Sequence, residues 1–142
     1  MAFDGRTLRF SKIDDLLVIV HAPMDPDPGE WKTMIEACRA RADSFRRCLV
    51  LASSVKLTPS QRGQLAHLVN RQDVKVAVLV DSAVSRGMVT ALGWVTGKYR
   101  AFAEDGIESA VAYLGGDLNA VRVRDEIRSM QTELGRAKSA TA

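Results

Sequence analysis

The stretch RCLVLASSVKLTPSQRGQL, residues 47–65, decides the fold class of this chain. It begins with Arg47–Ser53, an apolar run of strand length, which is typical of a strand that is covered on both faces. A helical pattern follows from Thr58–Ser60 to about Asn70, since threonine is a good N-cap residue and proline fits the first helical turn. A buried strand that leads into a helix predicts a parallel sheet with right-handed crossovers.

The same alternation continues on both sides of this stretch. Leu16–Ala22 and Val74–Asp81 are further buried-strand patterns, whereas Thr7–Ile13 alternates like a half-exposed strand. Asp14–Asp15 supplies the turn of an N-terminal hairpin. The other predicted helices are 30–42 after an N-cap at Asp27, Ser82–Trp94, 105–114 with Asp105 as its N-cap, and 119–138.

These elements predict one α/β domain with a mostly parallel sheet of four to five strands, an N-terminal hairpin and helices packed on the sheet. We expect residues 1–116 to form this domain, and residues 117–142 to add an amphipathic helix and a short disordered tail. That helix carries an apolar stripe at steps of four, three and four, formed by Val123, Ile127, Met130 and Leu134. The spacing suits packing on the same domain, and it also suits a homodimer in which two such helices pair.

Composition and charge narrow the classes of function and location. Twenty Lys and Arg residues against 17 Asp and Glu leave a formal charge of +3, too small an excess to indicate a nucleic-acid partner. No stretch approaches the roughly 18 apolar residues of a spanning helix, so we expect no membrane span. Cys38 and Cys48 lie in apolar segments, which indicates a reducing compartment and predicts a cytoplasmic protein without disulfides.

The residue types of common catalytic sites are scarce. His21 and His67 are the two histidines of the sequence, and the two cysteines lack the spacing of a zinc pair, so we predict no metal. The sequence contains no G-x-S-x-G motif, no glycine-rich phosphate loop and no dinucleotide fingerprint. We therefore predict a protein that is not an enzyme and carries no cofactor.

Polar side chains follow the predicted parallel strands, at the edge where open α/β sheets place their sites. Two of the predicted helices start there, and their backbone N–H groups and dipoles favour a bound or covalent phosphate, which arginines can complete. Helix capping alone also explains these residue types. The residues are Ser53, Ser54, Thr58, Ser60, Arg62, Asp81, Ser82, Ser85 and Arg86.

The central stretch CLVLASSVKLTPSQRGQL resembles the strand, loop and helix start of the STAS-like family, the bacterial anti-sigma-factor antagonists. The order of predicted elements over about residues 7–115 is also similar to that family. Thr58, Pro59, Ser60 and Gln61 occupy the places of its Asp-Ser-Ser-Gly signature, in which a partner kinase phosphorylates the second serine. The resemblance therefore implies Ser60 as the modified residue, although the other three places carry different residue types.

The later half of the chain resembles a divergent branch of this family that is related in shape to CRAL-TRIO lipid-transfer domains. VLVDSAVSRGMVTALGW, then YRAF and a helix ending in AVAYLG, carry that resemblance. It supports two readings of function. The first is a regulatory domain that binds another protein and is phosphorylated at Ser60 or Thr58, with Ser54, Arg62, Ser82, Ser85 and Arg86 contacting the partner or an anion. The alternative is a small-ligand or lipid-binding module whose pocket is lined by Met24, Trp31, Met88, Trp94 and Phe102.

Overall fold

The computed structural model describes residues 2–53, 57–72, 74–81, 98–115 and 117–141. The predicted helix Ser82–Trp94 and the candidate site residues Ser54, Ser82, Ser85 and Arg86 lie outside these ranges. The strands are β1 (Ala2–Asp4), β2 (Leu8–Ile13), β3 (Leu16–His21), β4 (Arg47–Ser53), β5 (Lys75–Val80) and β6 (Tyr99–Ala103). The helices are α1 (Pro28–Ala40), α2 (Pro59–Gln72), α3 (Ile107–Leu114) and α4 (Ala120–Thr141), with a 3-10 turn at Ala42–Ser44.

The six strands form one sheet in the order β1-β2-β3-β4-β5-β6. The pairs β1–β2 and β2–β3 are antiparallel, whereas β3, β4, β5 and β6 run parallel. The predicted α/β class and N-terminal hairpin are therefore confirmed. One strand more than the predicted four to five is present, because Ala2–Asp4 pairs with β2 and the Phe3 and Phe10 rings stack with centroids 5.5 Å apart. Three residues are too few to show an alternating pattern.

Side chains along each strand alternate between two hydrophobic cores, one on each face of the sheet. In β3, Leu17 and Ile19 contact the core under α1 and α2, whereas Leu16, Val18 and Val20 contact the core under α3 and α4. All six residues of this strand are buried, as the continuous apolar run predicted. The sheet is thus the middle layer between two helical layers.

The last helix packs on the sheet of its own chain. Its stripe of Val123, Ile127, Met130 and Leu134 is at most 6% exposed within the second core, and the Ser11 hydroxyl donates to Glu126 at 2.9 Å. The stripe is therefore buried against the sheet of its own chain, which is the first of the two predicted packings, and a homodimer stays a prediction. The helix begins after the cap of Asn119 and continues to Thr141.

The start of α3 differs from the prediction. Gly106, not Asp105, precedes the first helical residue, and no side chain caps this helix. The reason is a tight turn after β6, in which the Gly106 N–H donates to the Ala103 carbonyl at 2.8 Å and places Asp105 inside the turn. The end of α3 follows the prediction, since Gly115 adopts a φ of 77° that favours glycine.

Across the described ranges, no helix has both the length and the apolar character to span a bilayer.

Candidate functional site

The candidate site lies at the sheet edge where the parallel strands end, which we call the carboxyl edge. Helices α1 and α2 both start at this edge, after β3 and β4 respectively. Pairing between β4 and β5 shifts register between Leu51 and Ser53, so the ladder becomes irregular as β4 approaches the edge. This edge is the place where open α/β sheets hold ligands and partners.

The start of α2 is a capping box. The Thr58 hydroxyl accepts a hydrogen bond from the Gln61 N–H at 3.1 Å, and the Gln61 side-chain oxygen accepts one from the Thr58 N–H at 2.9 Å. Pro59 occupies the first helical position, where its missing N–H costs nothing. This arrangement is the reciprocal Thr-x-x-Gln pattern, and its sequence spacing alone would have identified it. Two of the three departures from the Asp-Ser-Ser-Gly signature, Thr58 and Gln61, are thus the two halves of the cap.

The capping box distinguishes the two residues predicted to be phosphorylated. The Thr58 hydroxyl is engaged in the cap, whereas Ser60 is exposed at the second helical position and its hydroxyl has no hydrogen-bond partner among the described residues. Arg62 lies two positions further on, and one of its guanidinium nitrogens donates to the Leu57 carbonyl at 2.9 Å. The structure therefore brings Thr58, Ser60 and Arg62 together in the first turn, and of the two hydroxyls only that of Thr58 is engaged in the cap.

The start of α1 is tied to a distant loop. Asp27 caps the helix by accepting from the Glu30 N–H at 3.0 Å, as predicted. The Glu30 carboxylate in turn accepts from the Arg6 N–H at 2.5 Å, the Thr7 N–H at 2.9 Å and the Thr7 hydroxyl at 3.2 Å. The Thr7 hydroxyl also accepts from the Asp27 N–H at 3.0 Å. No local motif in the sequence marks this anchor, because its partners lie 20 to 24 positions apart.

Glycine is required where this anchor meets the loop between β1 and β2. A side-chain carbon on Gly5 would overlap the Glu30 carboxylate and the Leu8 carbonyl. The loop therefore keeps its backbone close enough for consecutive N–H groups to reach one carboxylate. An open cavity of about 490 Å³ lies beside the anchor and is lined by Phe3, Asp4, Gly5, Arg6, Thr7, Met24, Asp27 and Glu30.

His21, the last residue of β3, lies beneath α1. It is 5% exposed, its ring stacks on Trp31 with centroids 6.4 Å apart, and its Nδ1 atom has no hydrogen-bond partner. Burial lowers the pKa of His21 to about 4, so the ring is neutral near pH 7. Trp31 continues the contact towards α2 by donating its indole N–H to Gln64 at 2.8 Å. One chain of side chains thus joins the end of β3 to both helices.

A groove of about 360 Å³ separates α1 from α2 above the contacts of His21, Trp31 and Gln64. Its lining residues are Pro28, Trp31, Lys32, Ile35, Glu36, Arg39, Gln61 and Gln64. Trp31 and Ile35 are 4% and 3% exposed, so the floor offers little apolar surface. The groove reaches the capping box through Gln61 and is therefore continuous with the Ser60 helix start.

The cysteines have the properties of core residues. Cys38 and Cys48 are buried and unpaired. Burial raises the pKa of the Cys38 thiol to about 12, and it raises the pKa of the Cys48 thiol further. Because the thiolate is the nucleophile and the metal ligand, both side chains are chemically inert near neutral pH. Within the described ranges, no group of three or more His, Cys, Asp or Glu side chains is arranged to hold a metal ion.

The described apolar residues of the alternative, ligand-binding prediction do not share a pocket. Trp31 belongs to the core under α1 and α2, whereas Phe102 packs beside Tyr113 against the opposite core. Met24 is 47% exposed, and Met88 and Trp94 lie outside the described residues. The sheet itself separates the first two, so the proposed lining is wrong for them.

Comparison with known proteins supports the fold. No family model and no curated protein matches the chain. A crystal structure of an uncharacterized DUF3478-family protein from Shewanella loihica PV-4, described as having a SpoIIAA-like fold, is similar with a TM-score of 0.59. The similarity covers 76% of this chain and 92% of that chain at 12% sequence identity. The chain therefore has a SpoIIAA-like fold, which is the STAS-like anti-sigma-antagonist fold that its central stretch resembles.

Proposed function

We propose that the protein is a non-enzymatic regulatory domain that binds a protein partner around the start of α2 and is switched by phosphorylation of Ser60. The observation that carries this proposal is the exposed, unengaged hydroxyl of Ser60 inside a self-contained capping box at the carboxyl edge. The SpoIIAA-like fold supports it at the level of architecture.

The modification itself is a transfer from ATP. A protein kinase moves the γ-phosphoryl group onto the Ser60 oxygen, the hydroxyl proton leaves, and ADP is released. The phosphate brings about 1.5 to 2 negative charges to the second position of a helix, where the dipole and unpaired N–H groups stabilise it. The helix is therefore expected to persist after modification.

The switch acts at the surface rather than through the fold. Thr58, Ser60 and Gln64 are exposed, and Arg62 lies among them with its guanidinium near the Leu57 carbonyl. A partner that covers this surface in the unmodified state would have to desolvate a dianion after phosphorylation, which costs binding free energy unless the partner supplies cations. Phosphorylation is thus expected to exchange one partner for another.

Two further features support a binding role in the cytoplasm. Both cysteine thiols are protonated at neutral pH and the His21 ring is closed to solvent, so these three side chains lie inside the core and do not meet a substrate. Unpaired buried cysteines persist where the surroundings are reducing.

Phosphopeptide mapping tests the proposal. The protein is isolated from its own cells in several growth states, and the peptide that spans Leu57–Arg62 is analysed by mass spectrometry. We expect phosphate on Ser60, lost in Ser60→Ala and retained in the matched variant Thr58→Ser. A fully covered peptide without phosphate in every growth state would contradict the switch.

A further inference from the structure

A cluster of cations and aromatic rings lies at the opposite edge of the sheet, where the parallel strands begin, which we call the amino edge. Arg100 of β6 places its guanidinium carbon 5.6 Å from the Phe102 ring centroid and 5.5 Å from that of Tyr113. Lys75, the first residue of β5, places its ammonium nitrogen 4.9 Å from the Tyr113 centroid. The two rings are themselves 5.8 Å apart. These four residues form what we call the Arg100 cluster.

Hydrogen bonds hold the cluster in one geometry. The Tyr113 hydroxyl donates to the Lys98 carbonyl at 3.2 Å, and the Lys75 ammonium group donates to the Tyr113 carbonyl at 3.1 Å. The Tyr113 hydroxyl is thus bonded to the residue before β6, and the Tyr113 backbone carbonyl is bonded to Lys75 of β5. Because cations and rings are already ordered, a ligand would meet them with little loss of conformational entropy.

Within the described ranges, the two charges of the cluster have no acidic partner. Some other basic residues of the described chain form ion pairs, such as Arg47 with Asp15, and Arg124 with Glu108 at 2.9 Å. Lys75 and Arg100 have no carboxylate within ion-pair distance among the described residues, and both are exposed. Two fixed and uncompensated positive charges therefore face solvent side by side.

The arrangement discriminates between anionic ligands. Single-stranded nucleic acid binds by stacking bases on aromatic faces, but the Arg100 guanidinium and the Lys75 ammonium group already lie over these rings. A formal charge of +3 is also a small excess of positive charge for holding a long polyanion. Carboxylates suit the site better. A guanidinium can donate two parallel N–H bonds to one carboxylate while its face remains on the rings.

We propose that the Arg100 cluster binds an acidic segment of a partner protein, with adjacent carboxylates on Arg100 and Lys75. The surface is separate from the Ser60 helix start, since the two lie at opposite edges of the sheet. It would let the protein hold one partner at the amino edge while phosphorylation at the carboxyl edge changes another contact. The two proposals therefore stand or fall independently.

Binding of a fluorescein-labelled hexaglutamate peptide, followed by fluorescence anisotropy, tests the proposal. We expect Arg100→Gln and Lys75→Gln each to weaken binding about tenfold, and Arg100→Lys to weaken it less, because the charge remains but the bidentate geometry is lost. The matched control is Lys32→Gln, which removes one exposed charge on the other face of the sheet and should change the affinity less than twofold. Ser60→Ala should leave the peptide affinity unchanged.

Three outcomes would overturn the proposal. Equal losses of peptide affinity in Lys32→Gln and Arg100→Gln would show that binding depends on overall charge and not on a specific site. An Arg100→Gln variant that is folded by circular dichroism and binds as well as wild type would remove the cluster from the contact. Tighter binding of phosphatidylserine vesicles or of a single-stranded oligonucleotide, lost in Arg100→Gln, would assign the cluster to a different class of partner.

Discussion

The two helices that start at the carboxyl edge share their local chemistry and differ in what else holds them. Both have proline at the first helical position and a side-chain cap, Asp27 for α1 and Thr58 for α2. The α1 start is also bonded to the loop before β2, between residues 20 to 24 positions apart in sequence, whereas the bonds of the α2 start join residues three to five positions apart. The first start is therefore a tertiary anchor, and the second is a self-contained unit.

Because of this difference, a modification or a bound partner should have different effects at the two helix starts. A modification or a partner at α1 would disturb the loop between β1 and β2, because Glu30 bonds to that loop. At α2 the cap closes on itself, so Ser60 can change its chemistry without disturbing the core. The contact from Trp31 to Gln64 is the point at which a change in one helix would reach the other.

Replacing Glu30 should have the largest effect, because it breaks the tertiary anchor. Glu30→Ala leaves the Arg6 and Thr7 N–H groups without their acceptor, and we expect a loss of about 3 kcal/mol in the free energy of unfolding, since these are bonds to a charged group. Urea denaturation measures it. The matched control is Glu36→Ala, which removes an exposed α1 carboxylate paired only with Lys32 at 3.9 Å and should cost under about 0.5 kcal/mol. Similar losses in both variants would show that the anchor is no stronger than a surface pair.

Acid should lower the free energy of unfolding through His21, which lies beneath α1, and should leave the capping box of α2 unaffected. The folded protein holds the pKa of His21 near 4, below its unfolded value of 6.5, so the unfolded state binds more protons and stability falls as pH drops through this window. We expect a loss of about 2 kcal/mol between pH 7 and pH 5 from this group. Thr58 and Gln61 do not titrate, so the capping box has no part in this loss.

The variant His21→Phe isolates that contribution. It keeps a ring against Trp31 and removes the unpartnered Nδ1 atom, so its unfolding free energy should fall less between pH 7 and pH 5 than that of wild type. The chain's other histidine, His67, is exposed on α2, and His67→Gln is the matched control. Parallel pH profiles for wild type and His21→Phe would refute the assignment.

The contrast between the two helix starts also explains which features could be predicted from the sequence. The cap at Asp27 and the helix start at Thr58 were predictable, because capping depends on residues within one turn. The Glu30 anchor was not, since its acceptor and donors meet only after the hairpin has folded against α1. The prediction of Asp105 as a cap failed for the same reason, because the turn at Gly106 is set by the geometry of β6 and not by the acidic residue.

Within the candidate site, the resemblance directed attention to Ser60 but obscured the role of its neighbours. Gln61 was read as a departure from a signature glycine, although the spacing from Thr58 is that of a capping box. The unpartnered nitrogen of the buried His21 was not foreseeable, since hydrogen-bond satisfaction depends on tertiary contacts.

The smallest effect is expected from the cap of α2, and it sharpens the comparison most. Thr58→Ala removes the hydroxyl that accepts from the Gln61 N–H and should cost about 1 kcal/mol in the free energy of unfolding. Thr58→Ser keeps an oxygen in the same place and should restore most of that stability. Because the bonds of this cap lie within one turn, hydrogen exchange in Thr58→Ala should quicken in the first turn of α2 and remain unchanged at the Arg6 and Thr7 amides. Faster exchange at those distant amides would show that the two helix starts are coupled, and α2 would then no longer be a self-contained unit.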